Sequence, residues 1–326
     1  MSHHVLCLRP EADFVRVDAP APLSLKVVYR APDDPKVADL VRKAGALVIP
    51  AVGPRLSPAL LENTQLKIVQ ITGAGVDRLD RAALTRLGIP VANVAGGSNS
   101  AVAEYAITTA SLLLRRFAWA DAEIKSGKYA KFRARMVADN LYGLEGLLIG
   151  VIGFGTIGRA VAQAFHRMGC RIGYFDPVAG DKTVADSIGA RPMHLEELLA
   201  QADIVTLHVP LLPDTKNLIG ERELAKMKPS AVLIQGSRGG IVDEAALAAC
   251  LAAGRIHGAA VDVYSVEPPA FDNPLLALKD DAARRLLLTP HIAGVTRQAS
   301  ALLFRSAWEN VERVLVRNEP PLNRIF

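Results

Sequence analysis

The chain is short of several things, and each shortage removes a class of function. It has only three cysteines in 326 residues, Cys7, Cys170 and Cys250, far apart and in no CxxC pair. An odd number at such spacings gives neither a disulfide framework nor a thiolate zinc site, and suits thiols in a reducing compartment. Cys170 and Cys250 stand in apolar stretches, where a thiol packs rather than reacts. Charge of one sign is never concentrated. The net charge is +5, but Lys and Arg are scattered and no run of five or more like charges occurs. A main role in nucleic-acid binding is therefore not expected. Long apolar runs are also missing: Ala106 to Leu114 and Leu147 to Ile152 fall well below the ~20 residues of a membrane helix. Met1 to Pro10 has no basic stretch followed by an apolar one, so no secretory leader is expected. His, Cys and carboxylates show no metal-ligand spacing, and no metal is expected. A cytoplasmic globular protein is what these absences leave.

Aliphatic residues are abundant, and they are patterned. Half of the chain is hydrophobic and 22% is charged. Strand-length runs at Leu25 to Tyr29, Ala46 to Ile49, Leu66 to Ile71 and Ile89 to Val94 alternate with helical stretches at Pro35 to Ala44, Pro58 to Asn63 and Asp80 to Leu87. A second series has strands at Gly146 to Gly153, Arg171 to Asp176, Ile204 to Val209, Ala231 to Gln235 and Gly258 to Val263. Its helices are Thr156 to Met168, Leu195 to Ala200, Glu221 to Lys226 and Asp243 to Ala253. Such alternation predicts parallel sheets covered by helices on both faces, here as two doubly wound α/β domains. Between the series, Ser100 to Ser126 reads as one long helix, capped by Asn99 or Ser100 and ended by Gly127. The basic, aromatic stretch Lys128 to Arg135 reads as an exposed arm or a dimer contact. Arg297 to Arg317 reads as a last helix, with Leu302, Leu303, Trp308 and Val311 at apolar spacings, able to return to the first domain.

The sharpest motif is Gly153-Phe154-Gly155-Thr156-Ile157-Gly158, between a predicted strand and a predicted helix, with Asp176 ending the next strand. That context marks a dinucleotide site. Gly153 permits the turn, Gly155 lets a pyrophosphate approach the backbone, and Gly158 lets the helix pack against the strand. The free N–H groups at the helix start favour phosphate. Asp176 points to NAD. A 2′-phosphate about 4 Å from a carboxylate is repelled by about 4 kcal/mol at an effective dielectric near 20. Neither Pro177 nor Val178 is an arginine that would accept that phosphate.

Three polar residues follow at strand ends or in loops: Arg238, Glu267 and His291. The chain here resembles the D-isomer-specific 2-hydroxyacid dehydrogenase family. The stretches that carry the resemblance run in order along most of the chain. They are Gly73-Ala74-Gly75-Val76-Asp77, Ala101-Val102-Ala103-Glu104, the glycine turn, His208-Val209-Pro210-Leu211, Ser237-Arg238-Gly239, Val261-Asp262-Val263-Tyr264 with Glu267-Pro268, and Pro290-His291-Ile292-Ala293-Gly294.

The resemblance implies a Rossmann NAD domain, residues 100–294, inserted into a flavodoxin-like substrate domain made of residues 1–99 and 295–326, and a homodimer. It also implies roles. Arg238 would fork onto the substrate carboxylate and carbonyl. His291 would be the general acid in reduction and the base in reverse. Glu267 would hydrogen-bond His291 and favour its charged form. The amides of Ala74 and Gly75 would hold the substrate carboxylate, and Asp262 would contact the nicotinamide amide. Thr156, Ile157, His208, Pro210, Thr215, Ser237, Arg238, His291 and Gly294 would line the cofactor. The other histidines, His3, His4, His166, His194 and His257, read as structural.

Departures from the family pattern narrow the substrate. Glu267 stands where formate-oxidising members have Gln, Ala74 where phosphite-oxidising members have Lys, and Ile71 where phosphoglycerate enzymes usually have Arg. No regulatory domain of the kind many of the last append is expected. Gln235 replaces a common Asn, and Tyr105 a frequent His near the expected pocket. A small 2-keto acid with an uncharged tail is expected, glyoxylate or hydroxypyruvate first. An NAD(H)-responsive corepressor on the same fold is the alternative, and the lack of long disordered tails argues against it.

Overall fold

The computed structural model describes residues 3–178, 180 and 182–326. The chain forms two compact units, one of residues 1–98 with 295–326 and one of residues 99–294.

The first unit holds a five-stranded parallel sheet of β1 (His4–Cys7), β2 (Lys26–Tyr29), β3 (Ala46–Ile49), β4 (Ile68–Ile71) and β5 (Val91–Ala92), in the order β2-β1-β3-β4-β5. This is the flavodoxin-like winding. Side chains alternate between its faces with period two. Leu6, Leu47, Ile49, Val69 and Ile71 enter one core, and Val5, Cys7, Ala46, Val48 and Ile68 the other. The second core is closed by the last helix, Arg297–Leu315, through Phe304, Trp308 and Val311. Phe14 packs on Phe304 and Trp308 with ring centres 4.6 and 4.9 Å apart. Leu302, expected on the apolar face of this helix, is 53% exposed. The buried pair Asn310 Nδ2 and Gln70 Oε1, at 3.0 Å, ties the helix to β4.

The second unit holds a seven-stranded parallel sheet: β6 (Leu148–Ile152), β7 (Arg171–Phe175), β8 (Arg191–Pro192), β9 (Ile204–Leu207), β10 (Val232–Gln235), β11 (Gly258–Val261) and β12 (Leu286–Leu288). Their order is β12-β11-β10-β9-β6-β7-β8. Counted from β6, this is the 3-2-1-4-5-6 winding of dinucleotide-binding folds with a seventh strand added. Ile152, Val205, Leu207, Leu233 and Val261 pack on one face, and Ile149, Val151, Ile204, Val232 and Ile234 on the other. The strand order reverses between β6 and β9. The crevice at the carboxyl ends of that pair is where such sheets bind ligands.

Two local expectations change. The stretch read as one helix from Ser100 to Ser126 is two, Asn99–Leu114 and Phe117–Lys125. Arg116 between them adopts φ +52, and a left-handed residue ends a helix. The apolar face stops there too: Leu113 and Leu114 are buried, and no residue of Phe117–Lys125 is. The basic stretch read as an arm forms the helix Tyr129–Ala138.

The three thiols are free and buried. Burial pushes Cys7 up to about 12 and Cys170 to about 11, which keeps both protonated and inert. Among the described residues, no helix is long and apolar enough to cross a membrane, and no group of three or more His, Cys, Asp or Glu could hold a metal ion.

Candidate functional site

The glycine turn lies at the reversal point of the second sheet, and each glycine has its own reason. Gly153 has φ +90, and a Cβ there would stand 2.6 Å from the His208 carbonyl oxygen at the end of β9. The His208 amide donates to the Ile152 carbonyl at 2.7 Å, so the two loops advance side by side. Gly158 sits in the first turn of the helix Thr156–Arg167, and a Cβ there would lie 1.9 Å from the Gly153 carbonyl oxygen. No side chain fits. Gly155 is the opposite case. Its φ of −72 suits any residue, and a Cβ would meet nothing within 4 Å. The protein itself does not require glycine at 155; a ligand coming close to the backbone would. The helix carries no side-chain cap, so its first N–H groups and positive dipole end face that open space. The turn therefore fits a pyrophosphate.

Asp176, at the end of β7, braces the turn. One carboxylate oxygen accepts the Phe154 amide at 2.7 Å and the other the Val178 amide at 2.9 Å. Phe154 stacks on Tyr174 with ring centres 4.1 Å apart. Thr156 is exposed and Ile157 half-buried beside it.

Past β9, the Thr215 hydroxyl donates to the Pro210 carbonyl at 2.6 Å and accepts the Leu212 amide at 2.7 Å, which closes the Pro210–Thr215 loop. The His208 ring lies 2.8 Å from the Thr206 hydroxyl, and burial pushes its pKa down to about 3. His208 is therefore neutral and adds no cation beside the turn. His257 is also lowered by burial and lies 3.2 Å from the Leu113 carbonyl, a packing role.

Arg238 follows β10 in a turn built by Gln235. Gln235 Nε2 donates to the Arg238 carbonyl, and its Oε1 accepts the Ser237 hydroxyl, both at 2.8 Å. Arg238 Nη1 donates to the Ser237 carbonyl at 2.7 Å. A Cβ on Gly239 would stand 1.7 Å from the Tyr264 carbonyl oxygen. The Arg238 turn is thus pressed directly against the loop after β11 that carries Glu267.

His291 and Glu267 are paired through their side chains. His291 Nδ1 lies 2.8 Å from Glu267 Oε2, with both side chains about a quarter exposed. A carboxylate only accepts, so Nδ1 carries the hydrogen and Nε2 remains for a ligand. Glu267 is held in turn by the Tyr264 amide, which donates to Oε1 at 3.1 Å.

The loop bearing His291 is anchored by Asp262, at 0% exposure. The Asp262 carboxylate accepts the Thr289 hydroxyl at 2.5 Å and the amides of Ile292 and Ala293 at 2.8 and 2.7 Å, while its backbone carbonyl accepts the His291 amide at 2.8 Å. These bonds hold His291 at φ +56, a conformation few non-glycine residues adopt unaided. Asp262 has the geometry of a loop anchor. Tyr105 joins the same network: its hydroxyl lies 2.8 Å from the Thr289 hydroxyl, and its ring lies 3.8 Å from a Cβ placed on Gly236. It therefore touches both the His291 loop and the Arg238 turn. The anchoring by Asp262, Thr289 and Gly239 had no signal in spacing or periodicity.

Ala74 and Gly75 stand in the other unit, at the carboxyl end of β4. The Gly73 carbonyl accepts the Val94 amide at 2.9 Å, and the Ala74 carbonyl accepts Asn93 Nδ2 at 2.7 Å. The carbonyls are thus tied inward, and among the described residues neither the Ala74 nor the Gly75 amide donates a hydrogen bond.

The chain as a whole is similar to known proteins. The chain is 35% identical over 260 residues to the glycerate dehydrogenase of Methylorubrum extorquens, covering 79% of each. It is 36% identical over 273 residues to the glyoxylate reductase of Thermococcus litoralis, covering 83% of this chain and 80% of that one. It spans only 42% of the D-3-phosphoglycerate dehydrogenase of Archaeoglobus fulgidus, at 39% identity. The crystal structure of the TT0316 protein from Thermus thermophilus superposes with a TM-score of 0.80 at 28% identity, over 99% of this chain and 100% of that one. Residues 107–293 match the NAD binding domain of the D-isomer specific 2-hydroxyacid dehydrogenases. With the glycine turn, the Arg238 turn and the His291 loop all inside that matched stretch, the chain belongs to the D-isomer specific 2-hydroxyacid dehydrogenase family.

Proposed function

We propose that this protein interconverts a small 2-keto acid, glyoxylate or hydroxypyruvate, with its D-2-hydroxy acid, using NAD. The observation that carries this reading is the His291–Glu267 pair at 2.8 Å, on a loop fixed by Asp262 and beside the turn that presents Arg238. The glycine turn would hold NADH, which when bound would supply the hydride for the carbonyl carbon. His291 gives the proton on Nε2 to the carbonyl oxygen, and Glu267 accepts the Nδ1 hydrogen and steadies the imidazolium. Arg238 orients the substrate by its carboxylate and carbonyl oxygens. The amides of Ala74 and Gly75 hold the carboxylate. Gly155, Thr156 and Ile157 offer backbone N–H groups to the pyrophosphate, and His208, Pro210, Thr215, Ser237 and Gly294 line the dinucleotide. Asp262 acts through the loop it anchors.

The names of the glycerate dehydrogenase and glyoxylate reductase relatives support the substrate class. NADH oxidation by the purified protein against glyoxylate, hydroxypyruvate, pyruvate and phosphohydroxypyruvate tests it. Turnover strongest with the first two is expected, and no turnover with any of the four overturns the reading.

Asp176 is assigned the choice of cofactor. Replacing Asp176 with Ala and Val178 with Arg removes a negative charge and adds a positive one where a 2′-phosphate would lie. The ratio of kcat/KM for NADH to that for NADPH should fall by about 100-fold or more, given ~4 kcal/mol of like-charge repulsion relieved. An unchanged ratio would show that Asp176 does no more than brace Phe154.

A homodimer fits the two helices after Leu114. Phe117, Ile124, Tyr129 and Val137 on them are 45–66% exposed, an apolar surface unusual for a helix pair left in water. Sedimentation should give twice the chain's 34.8 kDa, and Tyr129→Glu with Val137→Glu should halve it. The buried free thiols suit the cytoplasm.

A further inference from the structure

Arg78, in the first unit, is a buried charged side chain. It follows the Gly73–Gly75 turn and is only 4% exposed. Among the described residues no carboxylate forms an ion pair with it; the neighbouring Asp80 pairs with Arg55 instead. A buried guanidinium is costly, and here it is met by carbonyls.

Those carbonyls belong to one loop, the one following β3. Arg78 Nε donates to the Pro54 carbonyl at 2.8 Å and Nη1 to the Pro50 carbonyl at 2.9 Å, while the Leu56 amide donates back to the Arg78 carbonyl at 2.9 Å. Residues 50–56 are thus strung around a single side chain. Gly53 passes directly over it: with φ +128, it would place a Cβ 3.3 Å from the guanidinium carbon. Nη2 is buried and has no partner. The fork is therefore spent on the shape of the loop.

The loop in turn borders the turn assigned to the substrate carboxylate. A Cβ on Gly73 would stand 2.8 Å from the Ala51 Cβ, and the Thr72 amide donates to the Ile49 carbonyl at 2.8 Å. A displacement of Ala51 therefore reaches Gly73. Val52, beside it, is 48% exposed and gives the loop an apolar tip.

We propose that Arg78 is a positioning residue for substrate binding: its planar fork holds loop 50–56 against the Gly73–Gly75 turn, so that the loop wall and the carboxylate-binding amides keep one geometry. This rests on the 2-keto acid reading for its link to substrate, though not for the hold on the loop. Lysine cannot replace the fork, because a single ammonium on a flexible stem does not reproduce two fixed, divergent donors.

The test compares the full-length protein with Arg78→Lys and Arg78→Met. Initial rates are measured with glyoxylate and with a longer-tailed acid, 2-ketoisocaproate, alongside hydrogen exchange of the peptide covering residues 50–56. In both variants KM for the keto acid should rise about 10-fold or more, the size expected from losing charge-assisted hydrogen bonds. The KM for NADH should stay level and kcat should change only a few-fold. Discrimination between the short and long acids should shrink, and exchange across residues 50–56 should quicken. Unchanged KM values in either folded variant overturn the proposal. Full recovery by Lys where Met fails also overturns it, since charge would then matter and the fork would not. Lys carries the test if Met does not fold. If the unaltered protein reduces no keto acid, the activity reading falls by itself; exchange still decides the hold on the loop, and an unchanged rate across 50–56 overturns it.

Discussion

Replacing His291 with Asn should lower kcat by about 100- to 10,000-fold, the usual contribution of a positioned acid, or about 3–5 kcal/mol of barrier. Asn is the informative choice. His291 holds φ +56, a region that Asn tolerates better than most residues, so the loop can stay as Asp262 sets it. The amide can still donate to Glu267. What is lost is the proton on Nε2. The Kd for NADH, followed by fluorescence titration, should therefore stay within a few-fold of the unaltered protein. Retention of more than a tenth of kcat would exclude His291 as the acid. Glu267→Gln should cost less, because it leaves the proton donor in place and weakens only its support. The order of the two losses then separates a proton donor from the group that steadies it.

Replacing Gly158 with Ala should break the cofactor turn. Its methyl would have to occupy a point 1.9 Å from the Gly153 carbonyl oxygen, so the helix Thr156–Arg167 must move off the strand by more than an ångström. Overpacking of this kind costs about 1–3 kcal/mol, and backbone resists it more than side chains do. The unit of residues 99–294 should melt earlier in a thermal scan, and NADH affinity should fall by at least about 10-fold as the helix N-terminus leaves its place. Gly155→Ala is the control. Its added methyl meets no protein atom within 4 Å and needs no change in φ. Its melting should match the unaltered protein, while NADH affinity still falls. If Gly155→Ala bound NADH normally, the open space beside residue 155 would not be where the pyrophosphate lies.

The parts of this molecule legible in its sequence are those written in short periods or in residue types with few other uses. Both parallel sheets were readable because strands buried on two faces appear as unbroken Val, Ile and Leu runs. Yet β1 (His4–Cys7) escaped notice. It is four residues long, includes a His and a Cys, and lies in the interior of its sheet, paired with both β2 and β3. Without β1 the strand order of that unit could not have been derived. The stretch from Ser100 to Ser126 misled in the other direction. Its composition favours helix throughout, and propensity carries no sign of the left-handed residue at Arg116 that divides it.

Among the candidate site residues, the glycine turn declared itself because only glycine meets all three of its demands within six positions. Arg238, Glu267 and His291 were named by a family pattern, not by spacing. What holds them was invisible. Asp262 stands twenty-nine positions from the loop residue His291 it anchors, Gly239 is fixed by a carbonyl at Tyr264, and Arg78 reaches back across the chain to Pro50 and Pro54. The sequence by itself thus determined the layers and the NAD turn, since these depend on local periodicity and on residue chemistry, and a family pattern nominated the candidate side chains. Only the tertiary structure decided which of them are held, by what, and at what angle. Hydrogen bonds between residues distant in the chain arise when strands are laid side by side, and no one-dimensional pattern records that event.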